Sequence, residues 1–214
     1  MDGDIAHLNK MLEVTENYGI PVAVDEAHST FVLGSTGRGI CEHFDISSHR
    51  IAMIMGTTSK AVGAEGGFIA ASRGLIDAFR HNSRQNIFAT ALPPALYTAI
   101  SESFRLIQEE SWRVAKLREN SASVQAELSK MGYNIGNPHS AIIPVIIGDS
   151  RRVNDAWVRM MGRGIYIGAV TYPAVPEGIS RFRITVSAGH EPEQINRLID
   201  AFGEERDYLL KAPK

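Results

Sequence analysis

Val24-Asp25-Glu26-Ala27-His28-Ser29, reached through the apolar Pro21-Val22-Ala23, decides how the rest of the chain is read. A continuous apolar run that stops at a carboxylate and an imidazole describes a buried strand delivering polar groups at its C-terminal end. In an open α/β sheet that end is where ligands bind. Upstream, Ile5, Leu8 and Leu12 fall at helical spacing, so a helix is expected over 4–18 with Gly19 as its C-cap. Downstream, a glycine-rich loop from Gly34 to Gly39 leads to a second apolar run, Ile51 to Met55. That run hands off to Gly56-Thr57-Thr58-Ser59-Lys60, again a strand ending in small polar residues. Gly67 to Ala71 reads as a neighbouring strand.

Beyond Pro93-Pro94 the pattern changes. Residues 95–130 contain no proline or glycine and carry Leu96, Ile100, Phe104, Ile107, Val114, Leu117, Val124 and Leu128 at three- and four-residue intervals and their multiples. This predicts one long helix or two consecutive ones. Strands then follow at Ala141–Ile147, Ile165–Val170 and Arg181–Val186, with helices over 153–161 and from Pro192 to about Leu210, a small α/β layer. A boundary is expected near residue 100. The 22 Lys and Arg against 24 Asp and Glu leave no positive excess for a phosphate backbone, which excludes nucleic acid as an expected partner. Cys41 is alone and cannot form an internal disulfide, and no apolar run approaches the roughly 20 residues a membrane helix needs. Met1-Asp2-Gly3-Asp4 does not read as a leader, so a cytoplasmic chain is expected.

Asp25 and His28, three apart at a strand end, can face one cavity if the chain turns there. Their plainer reading is a turn cap and a half-buried loop histidine. Lys60 follows hydroxyls and amides able to cradle a phosphate, which makes it a candidate Schiff-base nucleophile, against the plainer reading of a solvated charge. Val24-Asp25-Glu26-Ala27-His28 also has the form of a helicase magnesium box. The phosphate loop which that fold needs is absent from the 214 residues. No metal site is expected either: His190-Glu191 has Gln194 where a zinc helix would place histidine.

Four segments occur together in order: Val24 to Ser29, Gly56 to Ala61, the Phe88-Ala89-Thr90-Ala91-Leu92-Pro93-Pro94 turn, and Arg181-Phe182-Arg183 running on to His190. With the Met1-Asp2-Gly3-Asp4 start, they resemble the α-oxoamine synthases, pyridoxal-phosphate enzymes of aminotransferase fold type I. The resemblance implies an α/β fold: part of a large domain with a mostly parallel sheet over 1–100, and a small C-terminal α/β domain over 101–214. It implies that Lys60 forms the covalent link to pyridoxal 5'-phosphate and moves the Cα proton. Asp25 matches the carboxylate that keeps the pyridine nitrogen protonated, His28 the imidazole near the phenolic oxygen, and Thr57 a phosphate ligand. Thr90 is similar to the residue that helps hold the phosphate across a homodimer interface. Arg183 matches the arginine that grips the amino-acid carboxylate; without the family it reads as a strand-face arginine in a surface ion pair.

The implied reaction is condensation of an amino acid with an acyl-CoA, with the biotin-pathway branch preferred over the threonine-degradation and sphingoid-base branches. The alternatives are a fold type I aminotransferase that uses no acyl-CoA, and a truncated homologue without catalysis. Members of the family run to about twice this length. The chain is therefore expected to be the C-terminal half, as a fragment or a truncated reading frame. The other half would carry the glycine-containing phosphate turn and the ring that stacks on the pyridine, and its absence would leave the Asp25 strand with an open edge.

Overall fold

The computed structural model describes residues 1–211, which fall into two compact units: residues 6–115, and residues 1–5 joined with the chain from Lys116 onward. The division lies fifteen residues beyond the boundary read from sequence. It falls within a helix, where a pattern of apolar spacing has no break to show it.

In the first unit, α1 (Leu8–Asn17) precedes β1 (Ala23–Asp25), and β2 (Met53–Thr57) and β3 (Gly67–Ala71) complete a sheet of order β1-β2-β3. β1 and β2 are parallel, joined by a long crossover that contains the short helix α2 (Ile40–His43). β2 and β3 are antiparallel, because the nine residues 58–66 are too few for a parallel return. The sheet is thus mixed, with one parallel and one antiparallel pairing where mostly parallel pairing was expected. Among the described residues β1 pairs with β2 alone. Helices α3 (Arg73–Asn82) and α4 (Arg84–Ile87) follow, each capped by a serine hydroxyl, Ser72 to the Leu75 N–H and Ser83 to the Asn86 N–H. α5 (Pro94–Glu109) starts with proline at N1 and has the expected apolar spacing, yet none of its residues is buried.

α1 begins four residues later than the periodicity suggests, because the first five residues are engaged elsewhere. Gly3 O accepts the His139 N–H at 3.0 Å, and Asp2 pairs with Arg181. Gly3 has φ +74°, and a Cβ there would stand 2.3 Å from Ile142 O, so only glycine fits.

α6 (Trp112–Lys130) carries the chain into the second unit. There β4 (Ile142–Gly148), β5 (Gly168–Val170) and β6 (Ser180–Thr185) form an antiparallel sheet of order β4-β6-β5, with α7 (Ser150–Gly162) and α8 (Pro192–Leu209). Pro144 is tolerated because β4 lies at the sheet edge. The core is built on one sheet face: Ile143 opposite Ile184 and Val145 opposite Phe182, all at most 2% exposed. Phe182 and Tyr133 each meet the Phe202 ring edge-on, and the Tyr133 hydroxyl donates to Phe202 O at 2.7 Å. α7 is capped by Asp149 and α8 by a Glu191–Gln194 capping box.

Candidate active site

β1 and β2 run parallel with Asp25 opposite Met55, so both strands end at the same edge of the sheet. Asp25 is the last residue of β1; it is exposed, and its Oδ1 accepts the Ala27 N–H at 2.8 Å. The chain turns at once, since the N–H groups of Ser29 and Thr30 both return to Glu26 O, at 3.0 and 3.1 Å. The turn brings His28 Nε2 to 3.0 Å from Lys60 Nζ. An ammonium only donates, so with Lys60 protonated His28 accepts at Nε2 and carries its proton on Nδ1.

Lys60 stands in the 58–66 loop, which is closed by its own backbone. The Thr58 N–H donates to Gly66 O at 3.0 Å, Ala64 N–H to Thr58 O at 2.8 Å and Gly63 N–H to Lys60 O at 3.0 Å. Ser103 of α5 donates its hydroxyl to Val62 O at 2.8 Å and holds the loop from outside. At the end of β2, Thr57 Oγ1 lies 2.8 Å from Ser59 Oγ and 3.2 Å from Gly66 O, and it accepts the Ser59 N–H. Gly56 just before it leaves room for the Phe68 ring, which a Cβ would meet at 2.3 Å.

Two carboxylates hold the surroundings of this edge. Glu26 is 4% exposed; its Oε1 accepts the Ile40 N–H at 2.9 Å and its Oε2 the Thr30 hydroxyl at 3.3 Å. Burial pushes the Glu26 carboxyl up, against the opposing pull of those hydrogen bonds. A Cβ at Gly39 would overlap Oε2 at 2.0 Å, so the glycine loop and the glutamate are built to each other. Burial, then the Glu26 charge, pushes the buried Cys41 thiol up as well. Glu42 accepts from the Arg38 N–H, the Thr36 hydroxyl and N–H, and the Ser35 hydroxyl. Its partial burial works the other way, and these donors outweigh it, holding the carboxyl at about 2.

The structure thus brings together Asp25, His28, Thr57 and Lys60 at one strand edge. Thr90 is exposed in the turn before α5 and makes no hydrogen bond among the described residues. Arg183 belongs to the second unit, in β6; it is half-buried, and its Nε is sealed from solvent with no partner among the described residues. Among the described residues, the surface ion pair that was its plainer reading is not formed. Sequence reasoning missed the anchoring role of Glu26, weighed there only as part of a nucleotide-hydrolysing motif. It also missed the carboxylate clasp of Glu42 on the glycine loop. The spacing of Gly34, Gly37 and Gly39 around an acidic residue was the available signal.

Lys60 and His28 thus meet at the edge where the parallel strands β1 and β2 end, the edge that also carries Asp25. The aminotransferase class I and II family matches residues 1–202, nearly the whole chain, and the chain belongs to it. Within that class it is similar to 8-amino-7-oxononanoate synthase of Alkaliphilus oremlandii, 38% identical over 98% of this chain and 53% of the relative. 8-Amino-7-oxononanoate synthase 2 of Bacillus subtilis is 39% identical over 94% and 51%. The serine palmitoyltransferase structure of Sphingomonas wittichii superposes with a TM-score of 0.92 at 31% identity, covering 97% of this chain and 53% of that one. The chain spans about half the length of the curated relatives it matches. No helix among the described residues is long and apolar enough to cross a membrane.

Proposed function

We propose that this chain forms part of a pyridoxal-phosphate-dependent α-oxoamine synthase, which condenses an amino acid with an acyl-CoA to give an α-amino ketone, with an 8-amino-7-oxononanoate synthase-like substrate pair preferred. The observation that carries the reading is the 3.0 Å approach of Lys60 Nζ to His28 Nε2 beside Asp25 at the shared edge of two parallel strands.

The donor set fits pyridoxal 5'-phosphate group by group. An amine suits its aldehyde carbon, a carboxylate its protonated ring nitrogen, an imidazole its phenolic oxygen, and the hydroxyls and loop amides after β2 its phosphate. Lys60, Asp25, His28 and Thr57 would hold it, with Thr90 a further phosphate ligand from across a homodimer interface. When bound, the cofactor supplies an electron sink for negative charge at the amino-acid Cα. The protein's own contribution is position and charge. Asp25 holds a proton on the ring nitrogen, Lys60 takes the proton from Cα, and His28, at hydrogen-bond distance from that amine, orients it. Arg183 offers a planar fork suited to a carboxylate, and its unpartnered Nε is the donor such a ligand would satisfy. In the overall reaction the Cα–H bond breaks and a bond forms between Cα and the acyl carbonyl carbon, coenzyme A leaves as its thiol, and the resulting β-keto acid loses its carboxylate as carbon dioxide, Cα taking up a proton to give the α-amino ketone. The buried, unpaired Cys41 accords with a reducing, cytoplasmic setting.

The test is cofactor titration followed by thiol release. Pyridoxal phosphate should give the protein a visible absorbance band that Lys60→Ala removes, and acyl-CoA with glycine, alanine or serine should release free thiol. A band unchanged in Lys60→Ala overturns the role of Lys60. Cofactor binding without thiol release points to an aminotransferase, and no binding at equilibrium dialysis to a non-catalytic homologue.

A further inference from the structure

α5 keeps a regular apolar stripe, Leu96, Ile100, Phe104 and Ile107, and yet buries none of its residues. A helix packed this shallowly adds little to a core, so its role turns on which particular groups it touches. Two adjacent residues make the decisive contacts. Ser103 donates its hydroxyl to Val62 O at 2.8 Å, in the loop that carries Lys60. Phe104 meets the Phe31 ring edge-on, with centroids 4.8 Å apart, in the turn that follows His28, and it meets the Phe68 ring of β3 at 5.8 Å. Ile107, further along the same stripe, lies beside the glycine loop, where a Cβ on Gly37 would stand 3.4 Å from Ile107 Cγ1. One turn of one helix therefore touches both segments whose tips meet at Lys60 and His28.

Both segments are tied to those contacts by short paths. Val62 is two residues from Lys60, and the next N–H along, that of Gly63, closes back onto Lys60 O at 3.0 Å. Phe31 is three residues from His28 and has a φ of +65°, in the left-handed region that a bulky L residue rarely adopts. Its N–H donates to Gly37 O at 2.8 Å, and its ring rests on Phe104. A residue stays in such a conformation only where its surroundings over-determine it, and strain of this kind collects at functional sites. Holding a long lysine side chain to one partner costs rotamer freedom, so the 3.0 Å approach of Lys60 Nζ to His28 Nε2 needs both backbones fixed.

We propose that Ser103 and Phe104 form a clamp that sets the Lys60–His28 approach, with Phe31 as the grip by which it holds the histidine turn. The three act on the reacting groups only through the two backbone segments, as positioning residues. Their use in catalysis rests on the reading of Lys60 and His28 as a working pair around pyridoxal phosphate. The clamp itself is a property of residues 28–107 and stands or falls separately.

The experiment follows the His28 ring nitrogens by 15N NMR in the 214-residue protein, with amide exchange at Val32 and Gly63 alongside. In wild type, with Lys60 protonated, the ring carries its proton on Nδ1 because Nε2 accepts from the amine. Lys60→Ala supplies the reference shifts of an imidazole without that donor. Ser103→Ala should speed exchange at Gly63, and Phe31→Gly at Val32, by about 5-fold or more. Glycine suits the backbone at position 31, so that variant removes the ring without adding strain. Both variants should move the His28 ring shifts at least half-way to those of Lys60→Ala. Ser101→Gly, at an exposed position of α5, weakens the helix by propensity alone and should lower the melting temperature with the ring shifts unchanged. Unchanged ring shifts in Ser103→Ala or in Phe31→Gly overturn the proposal, and so do ring shifts that move as far in Ser101→Gly. Should Phe31→Gly not fold, Phe104→Tyr against Phe104→Leu decides the histidine side. The tyrosine keeps an edge-on ring and the wild-type shifts, the leucine loses both, and equal shifts in the two overturn the clamp. Absorbance titration with pyridoxal phosphate separates the two readings. If wild type takes up none while the ring shifts respond as stated, the cofactor reading falls and the clamp stands. In a protein that takes it up, Ser103→Ala and Phe31→Gly should bind it more weakly than Ser101→Gly, and equal binding overturns their positioning role.

Discussion

Replacing Glu26 by alanine tests whether the turn that presents His28 is held by a buried carboxylate. In the wild type that carboxylate accepts the Ile40 N–H at 2.9 Å and the Thr30 hydroxyl at 3.3 Å, at 4% exposure. Glu26→Ala strands the Ile40 N–H without water or partner, a cost of about 1–3 kcal/mol, and leaves a void where the side chain packed against Gly39. Relief from burying a charge offsets part of this, so a net loss of about 2 kcal/mol is expected, or roughly 4–8 °C in a chain of this size. Glu26→Gln keeps the acceptor for Ile40 and the volume, and should stay within about 1 kcal/mol of wild type.

The same pair has a pH signature. Because burial raises the folded pKa of Glu26 above its ordinary 4.5, the stability it adds is complete below that value and is lost as pH rises through the folded pKa. Glu26→Gln carries no such dependence. Wild type should therefore lose ground against Glu26→Gln as pH rises above about 4.5 and through the raised folded pKa. Thermal melts across that range and hydrogen exchange at the Ile40 amide are the assays. Unchanged Ile40 protection in Glu26→Ala, or a Glu26→Gln variant as damaged as Glu26→Ala, would refute the reasoning.

Asp2→Ala should destabilise the second unit by about 1–3 kcal/mol, since Arg181 is almost fully buried; the value stays below that of a sealed pair because Asp2 is half exposed. Chemical denaturation checks it, and Asp2→Glu should recover part of the loss. Glu42, held at about 2, has the opposite pH behaviour from Glu26. Its contribution is complete above its ordinary 4.5 and is lost as pH falls through the folded value, so Glu42→Gln should remove an acid-sensitive opening of the 34–39 loop, as read by amide exchange at Thr36 and Arg38.

Much of the site was legible because its parts lie close along the chain. Asp25 to His28 is one turn at a strand end, and Thr57 to Lys60 one loop after the next strand, so the apolar runs and the small polar residues behind them announce both. The longer helices were announced by the same kind of local signal, apolar spacing in α5 to α8 with proline at the starts of α5 and α8, whereas α2, α3 and α4 were not expected. Local spacing could not reveal that α5 buries none of its residues, because burial depends on what lies opposite.

The residues alone therefore establish an α/β chain, the polar strand ends, the candidate lysine and the family resemblance, since each depends on neighbours a few positions apart. The fold decides which of these groups meet. His28 and Lys60, 32 residues apart, come to hydrogen-bond distance at the edge where β1 and β2 both end. Glu26 reaches Ile40 across a loop of glycines, and Asp2 neutralises Arg181 from 179 residues away while Arg183 Nε has no partner among the described residues. Such pairings follow from strand register and from the packing of distant segments. No local pattern encodes them, because the free energy that selects them exists only once the whole chain has closed around them.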